Sequence, residues 1–326
     1  MTSESLTMLH AYRGVGKTFF AFEVAYSVAA GQDFLCWPCH VARSVVYFDG
    51  EMGIRQMKGR LRRAIDGHAI GAESDNLHFQ CYDMCDNQRM WNLSEPEDQA
   101  KYSAALAPHH VAIIDNIATC VKSRPRESDV ETWARVQDWA IRERGKGKAI
   151  LFIHHSGKAM TQRGTSTKED VLDTVMNLVS QYNPNGNSFE LNFEKHRNFY
   201  GPQAESLVIT QEGEPMGWTY INAFDSMKRN VAEMKELGMT NAQICDELRI
   251  NMSTLKKIQN GDNGATGDPT TDSERDEIIS MRRNRGMSLK EISKETGIKL
   301  PTIKSVLYKE LGYVGPEDDD EGGNLF

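Results

Sequence analysis

Short apolar runs alternate with amphipathic stretches over the first two thirds of the chain. The runs are predicted to be buried strands because they are short, β-branched and aromatic. They lie at 6–9, 44–49, 111–115 and 149–153, and helices are predicted at 19–30, 130–144 and 168–180. Two later strands, around 188–194 and 205–210, look like an antiparallel edge joined by a turn at 198–202. This alternation predicts an α/β fold with a mainly parallel sheet and helices on both faces.

After Ile221 the pattern changes to short helices that form two similar units. Each unit has a helix, a glycine, an N-cap residue (Thr240 or Ser288), a second helix, a tight turn and a third helix. This order is typical of a helix-turn-helix, although a three-helix unit that docks protein instead of DNA has the same pattern. The predicted domains are an α/β domain at 1–222, helix-turn-helix units at 223–262 and 273–314, a linker at 263–272, and a disordered acidic tail at 315–326.

Composition limits the possible classes of protein. The 326 residues are 39% hydrophobic, and no run of about 18 apolar residues occurs. No basic region followed by an apolar one opens the chain, so we expect neither a membrane span nor a signal peptide, and a cytoplasmic location. The net charge of −8 argues against a chain coated with nucleic-acid-binding surface but leaves room for a local basic lining. A basic cluster at 55–63 is more typical of a solvated helix face.

The six cysteines are irregularly spaced and are expected to be free thiols. Cys36 and Cys39, with Cys81 and Cys85, can be read as a zinc site. The unequal spacing of the two pairs and their location in predicted connecting segments argue against it.

The segment Ala-Tyr-Arg-Gly-Val-Gly-Lys-Thr at 11–18 joins the first strand to the first helix. This is the setting of a phosphate loop, in which Lys17 reaches the β- and γ-phosphates and Thr18 offers its hydroxyl to Mg²⁺. Ala11 stands where the pattern has its first glycine, and a glycine-containing helix entry without a ligand is the alternative. The predicted ATP-binding residues are Arg13, Gly14, Val15, Gly16, Lys17, Thr18 and Phe19.

Acidic residues and histidines end three of the other predicted strands. Glu51 follows the run at 44–49, where a carboxylate can polarise a water molecule, or alternatively cap the helix that begins near Gly53. Asp115 closes the run at 111–115 as a Walker B acid does, and would hold Mg²⁺ next to Thr18. The run at 149–153 delivers His154 and His155 to the same edge.

The motifs resemble, in order and spacing, the RecA-like hexameric ATPases, and within them the RepA-like replicative helicases of plasmids and phages, with DnaB more distant. The resemblance covers about residues 5–220, and its motifs are AYRGVGKT, VVYFDGEM, VAIIDN, LFIHHSGK with QRGTS and EDVLDTV, and FEKHRNFYGP. It implies that Glu51 activates water, that His155 or His154 senses the γ-phosphate, and that Lys195 and Arg197 reach the site of a neighbouring subunit. Without the family, these two basic residues would be read as solvated turn residues.

The resemblance also implies a ring-shaped homo-oligomer, with single-stranded DNA in a central channel. The predicted DNA contacts are Lys122, Arg124, Lys158 and Arg163, which suit backbone binding without sequence readout. The C-terminal units are expected to bind duplex DNA or replication proteins. The leading hypothesis is therefore a DNA-stimulated ATPase motor that acts as a replicative helicase or translocase. The alternatives are an ATP-switched, site-specific DNA-binding initiator or regulator, and a filament-forming ATPase.

Overall fold

The computed structural model describes residues 3–67, 74–156, 170–181, 183, 186–199, 201–213, 217–261, 272–296, 298, 303 and 306–307. The chain divides into two compact units, Met1–Met252 and Ser253–Phe326. In the described part of the chain, no helix combines the length and the apolarity that crossing a bilayer requires.

The first unit is built on a sheet of nine described strands in the order β3-β2-β4-β5-β1-β6-β7-β8-β9. The strands are β1 (Leu6–Ala11), β2 (Val45–Asp49), β3 (Leu77–Cys81), β4 (Val111–Asp115), β5 (Ala149–His155), β6 (Thr174–Gln181), β7 (Asn187–His196), β8 (Leu207–Glu212) and β9 (Gly217–Asn222). The strands from β3 to β6 in this order are parallel, and β7, β8 and β9 continue the sheet antiparallel. The predicted α/β fold, with a mainly parallel sheet and helices on both faces, is confirmed.

The α-helices between β1 and β5 in the chain cover both faces of the sheet, and the remaining described α-helices follow β9. The α-helices are α1 (Lys17–Ala30), α2 (Ile54–Gly67), α3 (Pro96–Leu106), α4 (Ile117–Cys120), α5 (Asp129–Gly145), α6 (Ala223–Glu236), α7 (Asn241–Leu248), α8 (Met252–Gln259), α9 (Asp272–Arg285) and α10 (Leu289–Thr296). Phe22 of α1 and Met57 of α2 lie in one apolar cluster with Tyr47, while Tyr102 of α3 and Trp139 of α5 lie in the other. Alternate residues of β2 and β4 belong to the two clusters, as expected of strands buried on both faces.

The predicted helix at 168–180 is wrong, because Thr174–Gln181 is the strand β6. Its apolar residues are spaced as on a helix, but β6 pairs with β1 on one side and with β7 on the other. Pairing on both sides buries most of the first five residues of β6, and this tertiary pairing outweighs the local pattern. The predicted antiparallel edge is also incomplete, since β9 lies outside β8, and Cys81 ends β3 instead of lying in a connection.

The second unit has its own small apolar core among the described residues. Its members come from α9, α10 and the helical positions beyond them, and are Ile278, Met281, Leu289, Ile292, Ile303, Val306 and Leu307. Ser288 caps α10 as predicted, because its hydroxyl accepts the N–H of Glu291 at 3.3 Å and Glu291 in turn accepts the N–H of Ser288 at 2.8 Å. Most of the predicted linker and the whole acidic tail lie outside the described residues. The helix-turn-helix assignment stays a prediction.

Candidate functional site

The loop between β1 and α1 turns sharply at two glycines. Gly14 and Gly16 have φ angles of 82° and 116°, in a region of backbone conformation that residues with a Cβ rarely adopt. A Cβ on Gly16 would also lie 2.5 Å from Nδ2 of Asn187, which donates to the carbonyl of Val15 at 3.2 Å. Gly16 is the N-cap of α1, so the free N–H groups of the first helical turn open toward this loop.

Lys17, the first residue of α1, is held inside the loop. Its side chain is buried, and Nζ donates to the carbonyls of Ala11 and Tyr12, each at 2.9 Å. Burial lowers the pKa of Lys17 to about 8, although the carboxylates of Asp115 and Glu51 favour its charged form. The loop therefore holds a cation at the point where a phosphate chain would meet the helix N-terminus.

Asp115, at the end of β4, is buried beneath the loop. The Tyr47 hydroxyl donates to its Oδ2 at 2.6 Å, and the hydroxyl of Thr18 also forms a hydrogen bond with this carboxylate. Burial raises the pKa of Asp115, and these two hydrogen bonds act in the opposite direction. Thr18 and Asp115, the two predicted Mg²⁺ ligands, are thus in contact.

Asp49, at the end of β2, lies in register with Asp115 on the adjacent strand. Its Oδ1 accepts the backbone N–H groups of Glu51 and Met52, both at 2.7 Å, and so forms the turn that leads to α2. Burial, and then the neighbouring Asp115, raise the pKa of Asp49 to about 7 against the effect of these two donors.

Glu51 projects at the mouth of the site with a half-exposed side chain. Its Oε1 accepts a hydrogen bond from Nδ2 of Asn116 at 2.7 Å and lies 3.5 Å from Nε2 of His155. Burial and then Lys17 lower the pKa of His155, so its imidazole is neutral at pH 7. A carboxylate oriented in this way can accept a proton from a water molecule placed above the loop.

These residues surround a cleft of about 630 Å³ at the carboxyl edge of the parallel strands, a size that suits a nucleotide. The predicted residues that line it are Arg13, Gly14, Gly16, Lys17, Thr18, Phe19, Glu51, Asp115 and His155. Val15, also predicted, belongs to the same loop, and its side chain is buried. The lining residues that the sequence analysis missed are Asp49, Met52, Arg60, Asn187 and Gln211.

The missed residues differ in the signal that the sequence offers for them. Asp49 stands two positions before Glu51 in the same motif, so its proximity could have been inferred. Asn187 and Gln211 lie on antiparallel strands far along the chain, where nothing local points to the loop.

Arg60 corrects the interpretation of the basic cluster at 55–63 as a wholly solvated helix face. It lies in the middle of α2, and its guanidinium is 4.8 Å from the centroid of the Phe19 ring, a cation–π contact. Arg55, Lys58, Arg62 and Arg63 are exposed, as expected of a solvated face. Arg60 instead joins Arg13 and Lys17 as a cation at the cleft.

Lys195 and Arg197 lie at the other edge of the sheet, not in this cleft. His196 pairs with Thr174, and Thr174 pairs with Thr7, four positions before Ala11. That offset places the end of β7 about 13 Å from the phosphate loop along the strands. Both side chains lie near the carbonyl of Asp170, with Nζ of Lys195 at 3.5 Å and a guanidinium nitrogen of Arg197 at 3.3 Å.

The two predicted DNA loops differ in what the structure describes. Lys122 and Arg124 are exposed in the segment between α4 and α5. The guanidinium of Arg124 forms a bidentate ion pair with Glu95, at 2.9 and 2.5 Å. Lys158 and Arg163 lie outside the described residues.

The chemistry of the cleft fits Mg²⁺ and not zinc. Mg²⁺ prefers oxygen ligands, and Thr18 with Asp115 supplies a hydroxyl and a carboxylate beside the phosphate loop. Oδ2 of Asp49 is buried in the same cleft without a hydrogen-bond partner in the described structure. For the part of the chain that is described, no cluster of three or more histidine, cysteine or acidic side chains has the arrangement of a metal site, and all six cysteines are free thiols.

The N-terminal part of the chain is similar to a known protein family. Residues 1–160, just under half of the chain, match the family described as AAA domain. A comparison with curated protein sequences finds no significant match.

Solved structures similar to this chain include the flagellar accessory protein FlaH from Methanocaldococcus jannaschii. It is 13% identical, with 67% of this chain and 91% of that chain covered and a TM-score of 0.47. A KaiC-like protein from Pyrococcus horikoshii OT3 is 14% identical, with 68% and 91% covered and a TM-score of 0.47. The phosphate loop and the Thr18–Asp115 contact agree with the family match, and the N-terminal part of the chain is similar to AAA domains.

Proposed function

We propose that this chain is a DNA-stimulated ATPase motor that works as a homo-oligomer, most closely a RepA-like replicative helicase or translocase. The observation that carries the ATPase part is the position of Glu51, which Asn116 and His155 orient at the mouth of a cleft that contains Lys17 and Asp115. Hydrolysis of a triphosphate needs a base for water and cations around the transferred group, and this cleft supplies both.

Each residue has a defined part in this proposal. Lys17 and the N–H groups of the loop bind the β- and γ-phosphates, and Glu51 accepts the proton of the attacking water. Thr18 and Asp115 hold the Mg²⁺, which neutralises charge on the phosphates when it is bound. The neutral imidazole of His155 lies beside Glu51 and is suited to report on the γ-phosphate.

The motor part of the proposal rests on the order of motifs and on two supporting observations. Lys195 and Arg197 lie too far from their own phosphate loop to reach it, which favours a role toward a second copy of the chain. Lys122 and Arg124 are exposed, as DNA-backbone contacts must be, although DNA would have to compete with Glu95 for Arg124. Mass photometry with and without ATP and single-stranded DNA tests the oligomer, and a chain that stays monomeric in every condition contradicts it.

Glu51→Gln tests the ATPase directly. The amide keeps the shape of the side chain but cannot accept a proton, so we expect ATP hydrolysis to fall by about 10² to 10⁴-fold with nucleotide still bound. Phosphate release measures the first property, and fluorescence of a labelled ATP analogue measures the second. Glu97→Gln, an exposed change on α3, should leave both unchanged. Hydrolysis by Glu51→Gln at the unmodified rate would exclude Glu51 as the base.

A second candidate function is an ATP-switched, site-specific DNA binder. It is favoured by the capped short helices after β9, and by the arginines in the last turn of α9, Arg282, Arg283 and Arg285. DNA footprinting separates the two functions. A protected duplex sequence without strand separation supports the binder, and strand separation coupled to ATP hydrolysis supports the motor.

A further inference from the structure

Asp49 presents a buried carboxylate oxygen to the cleft with no described partner. The residue is 1% exposed, and its Oδ1 alone accepts the two backbone N–H groups that form the turn after β2. Its Oδ2 is buried and has no hydrogen-bond partner in the described part of the structure. Buried polar atoms are nearly always satisfied, so this oxygen calls for a ligand or a proton.

The surroundings of Oδ2 indicate which ligand it takes. Asp49 and Asp115 lie in register on neighbouring parallel strands, and the odd-numbered residues 45 and 47 of β2 share one apolar cluster with 111 and 113 of β4. The two carboxylates therefore point to the same face, on strands about 4.8 Å apart. Two buried carboxylates this close repel each other unless a cation or a proton lies with them.

The carboxylate of Asp115 accepts hydrogen bonds from two neutral hydroxyl groups, whereas Oδ2 of Asp49 has no hydrogen-bond donor in the described part of the structure. Asp115 accepts hydrogen bonds from Tyr47 and Thr18. Thr18 is the hydroxyl that the proposed nucleotide site assigns to Mg²⁺, and Thr18, Asp49 and Asp115 all line the same cleft.

We propose that Asp49 is a second carboxylate of the Mg²⁺–nucleotide site, which uses Oδ1 to fix the Glu51 turn and Oδ2 to help hold the cation. This inference rests on the proposed nucleotide-binding function and extends it to a residue for which the motifs gave no role. One side chain then links the position of the water-activating carboxylate to the presence of the metal.

The test is Mn²⁺ binding in the presence of ADP, followed by electron paramagnetic resonance on the full chain. In Asp49→Asn, Oδ1 still accepts both backbone N–H groups, but an amide NH₂ replaces Oδ2 and cannot face a cation. We expect the Mn²⁺ dissociation constant to rise about 10-fold or more. ADP affinity measured in EDTA should stay the same.

Two further variants separate a metal effect from a folding effect. Asp49→Ser keeps a hydroxyl that can accept a turn N–H and removes Oδ2 altogether, so it should weaken Mn²⁺ in the same way. Asp83→Asn is the matched control, because Asp83 also accepts a backbone N–H at the start of α2, that of Ile54 at 2.9 Å, but does not line the cleft. It should bind Mn²⁺ as the unmodified chain does.

The outcomes distinguish this inference from the function on which it rests. If the unmodified chain binds no Mn²⁺ with ADP, the proposed nucleotide site is itself wrong. If it binds Mn²⁺ and Asp49→Asn binds equally well, the site stands and the inference is overturned. That second result would mean that Asp49 carries a proton in the complex, because asparagine imitates a protonated carboxyl group.

Discussion

At the scale of single residues, the cleft combines cations and carboxylates from distant parts of the chain. Lys17 and Arg13 come from the phosphate loop, while Arg60 comes from the middle of α2. The ring of Phe19 fixes the Arg60 guanidinium, because a cation over an aromatic face is held by the charge distribution of the ring. Arg60 thus enters the site as a positioned cation.

Arg60→Ala should therefore weaken nucleotide binding. A charge-assisted hydrogen bond to phosphate contributes about 1.5 to 3 kcal/mol, so we expect the dissociation constant of ADP to rise about 10-fold or more. Arg60→Lys keeps the charge but loses the planar contact with Phe19, so its dissociation constant for ADP should lie between those of the unmodified chain and Arg60→Ala. Isothermal titration calorimetry measures all three.

The matched control for Arg60 is Arg62→Ala on the same helix. Arg62 is exposed and pairs with Asp66 one turn away, at 3.1 Å, so its loss should leave ADP affinity unchanged. Equal affinities for Arg60→Ala and Arg62→Ala would show that the cation at the cleft makes no contact with the nucleotide.

The residues that sequence alone identified are those whose neighbours in space are also neighbours in the chain. Gly16, Lys17 and Thr18 lie at one strand-to-helix turn, Asp115 ends an apolar run, and Glu51 follows another by two residues. Arg60 could not be separated from its four basic neighbours without the rotation of α2. Asn187 meets Val15 only because β7 enters the sheet next to β6.

At the scale of elements, a hydrogen-bond network joins three strands beneath the phosphate loop. His10 of β1 is 4% exposed, and its ring nitrogens lie 2.9 Å from Oγ of Ser156 and 2.8 Å from Oε2 of Glu194. Ser156 follows β5, and Glu194 belongs to β7, one residue before Lys195. The network connects β1, which leads into the phosphate loop, to β7, at whose end Lys195 and Arg197 lie.

Glu194→Gln should lower stability in a pH-dependent way. The hydrogen bond with His10 is the main cause that lowers the pKa of Glu194 below its ordinary value of 4.5. A carboxyl group whose pKa is lowered on folding contributes stability above its unfolded pKa, and this contribution is lost as the pH falls through the folded pKa. The difference in melting temperature between the unmodified chain and Glu194→Gln should be present at pH 7 and shrink progressively as the pH falls below 4.5.

The control for this prediction lies on the same strand. Glu190 accepts a hydrogen bond from the neutral amide of Gln181 at 3.1 Å, so Glu190→Gln should show little pH dependence. A difference for Glu194→Gln that stays constant from pH 7 to the acid limit at which the chain remains folded would show that the charge of Glu194 does not stabilise the network.

Elements were predictable where periodicity and burial agree, as in β2, β4 and β5, which are apolar runs buried on both faces. β6 was mistaken for a helix because its apolar spacing suits either structure, and only its two partner strands decide. β9 has two exposed positions among six, so its sequence gives little alternation to detect.

At the scale of the whole molecule, the α/β unit separates two sets of cations. Those of the phosphate loop lie at the carboxyl edge of the parallel strands, and Lys195 and Arg197 lie at the end of β7, toward the opposite edge. One chain cannot bring both sets to one nucleotide without unfolding β7. In the proposed homo-oligomer, a second copy would present the end of its β7 to the cleft of the first.

Arg197→Ala tests this arrangement by mixing. If Arg197 completes the site of a neighbouring copy, the variant should bind ATP through its own intact cleft and still deprive its neighbour of a cation that can contribute about 10³ to 10⁵ in rate. Adding it to the unmodified chain at fixed total concentration should then reduce ATP hydrolysis more than in proportion to the added fraction.

Arg229→Ala provides the comparison for the mixing experiment, because Arg229 is exposed on α6 and lies 3.9 Å from Glu233, one turn away. It should leave hydrolysis unchanged in every mixture. A strictly proportional decrease with Arg197→Ala would mean that each chain hydrolyses ATP by itself, and the basic end of β7 would then have to act on something other than a second copy. A steeper decrease that disappears on dilution to monomers would place Arg197 at the contact between copies, since only assembled chains can share a site.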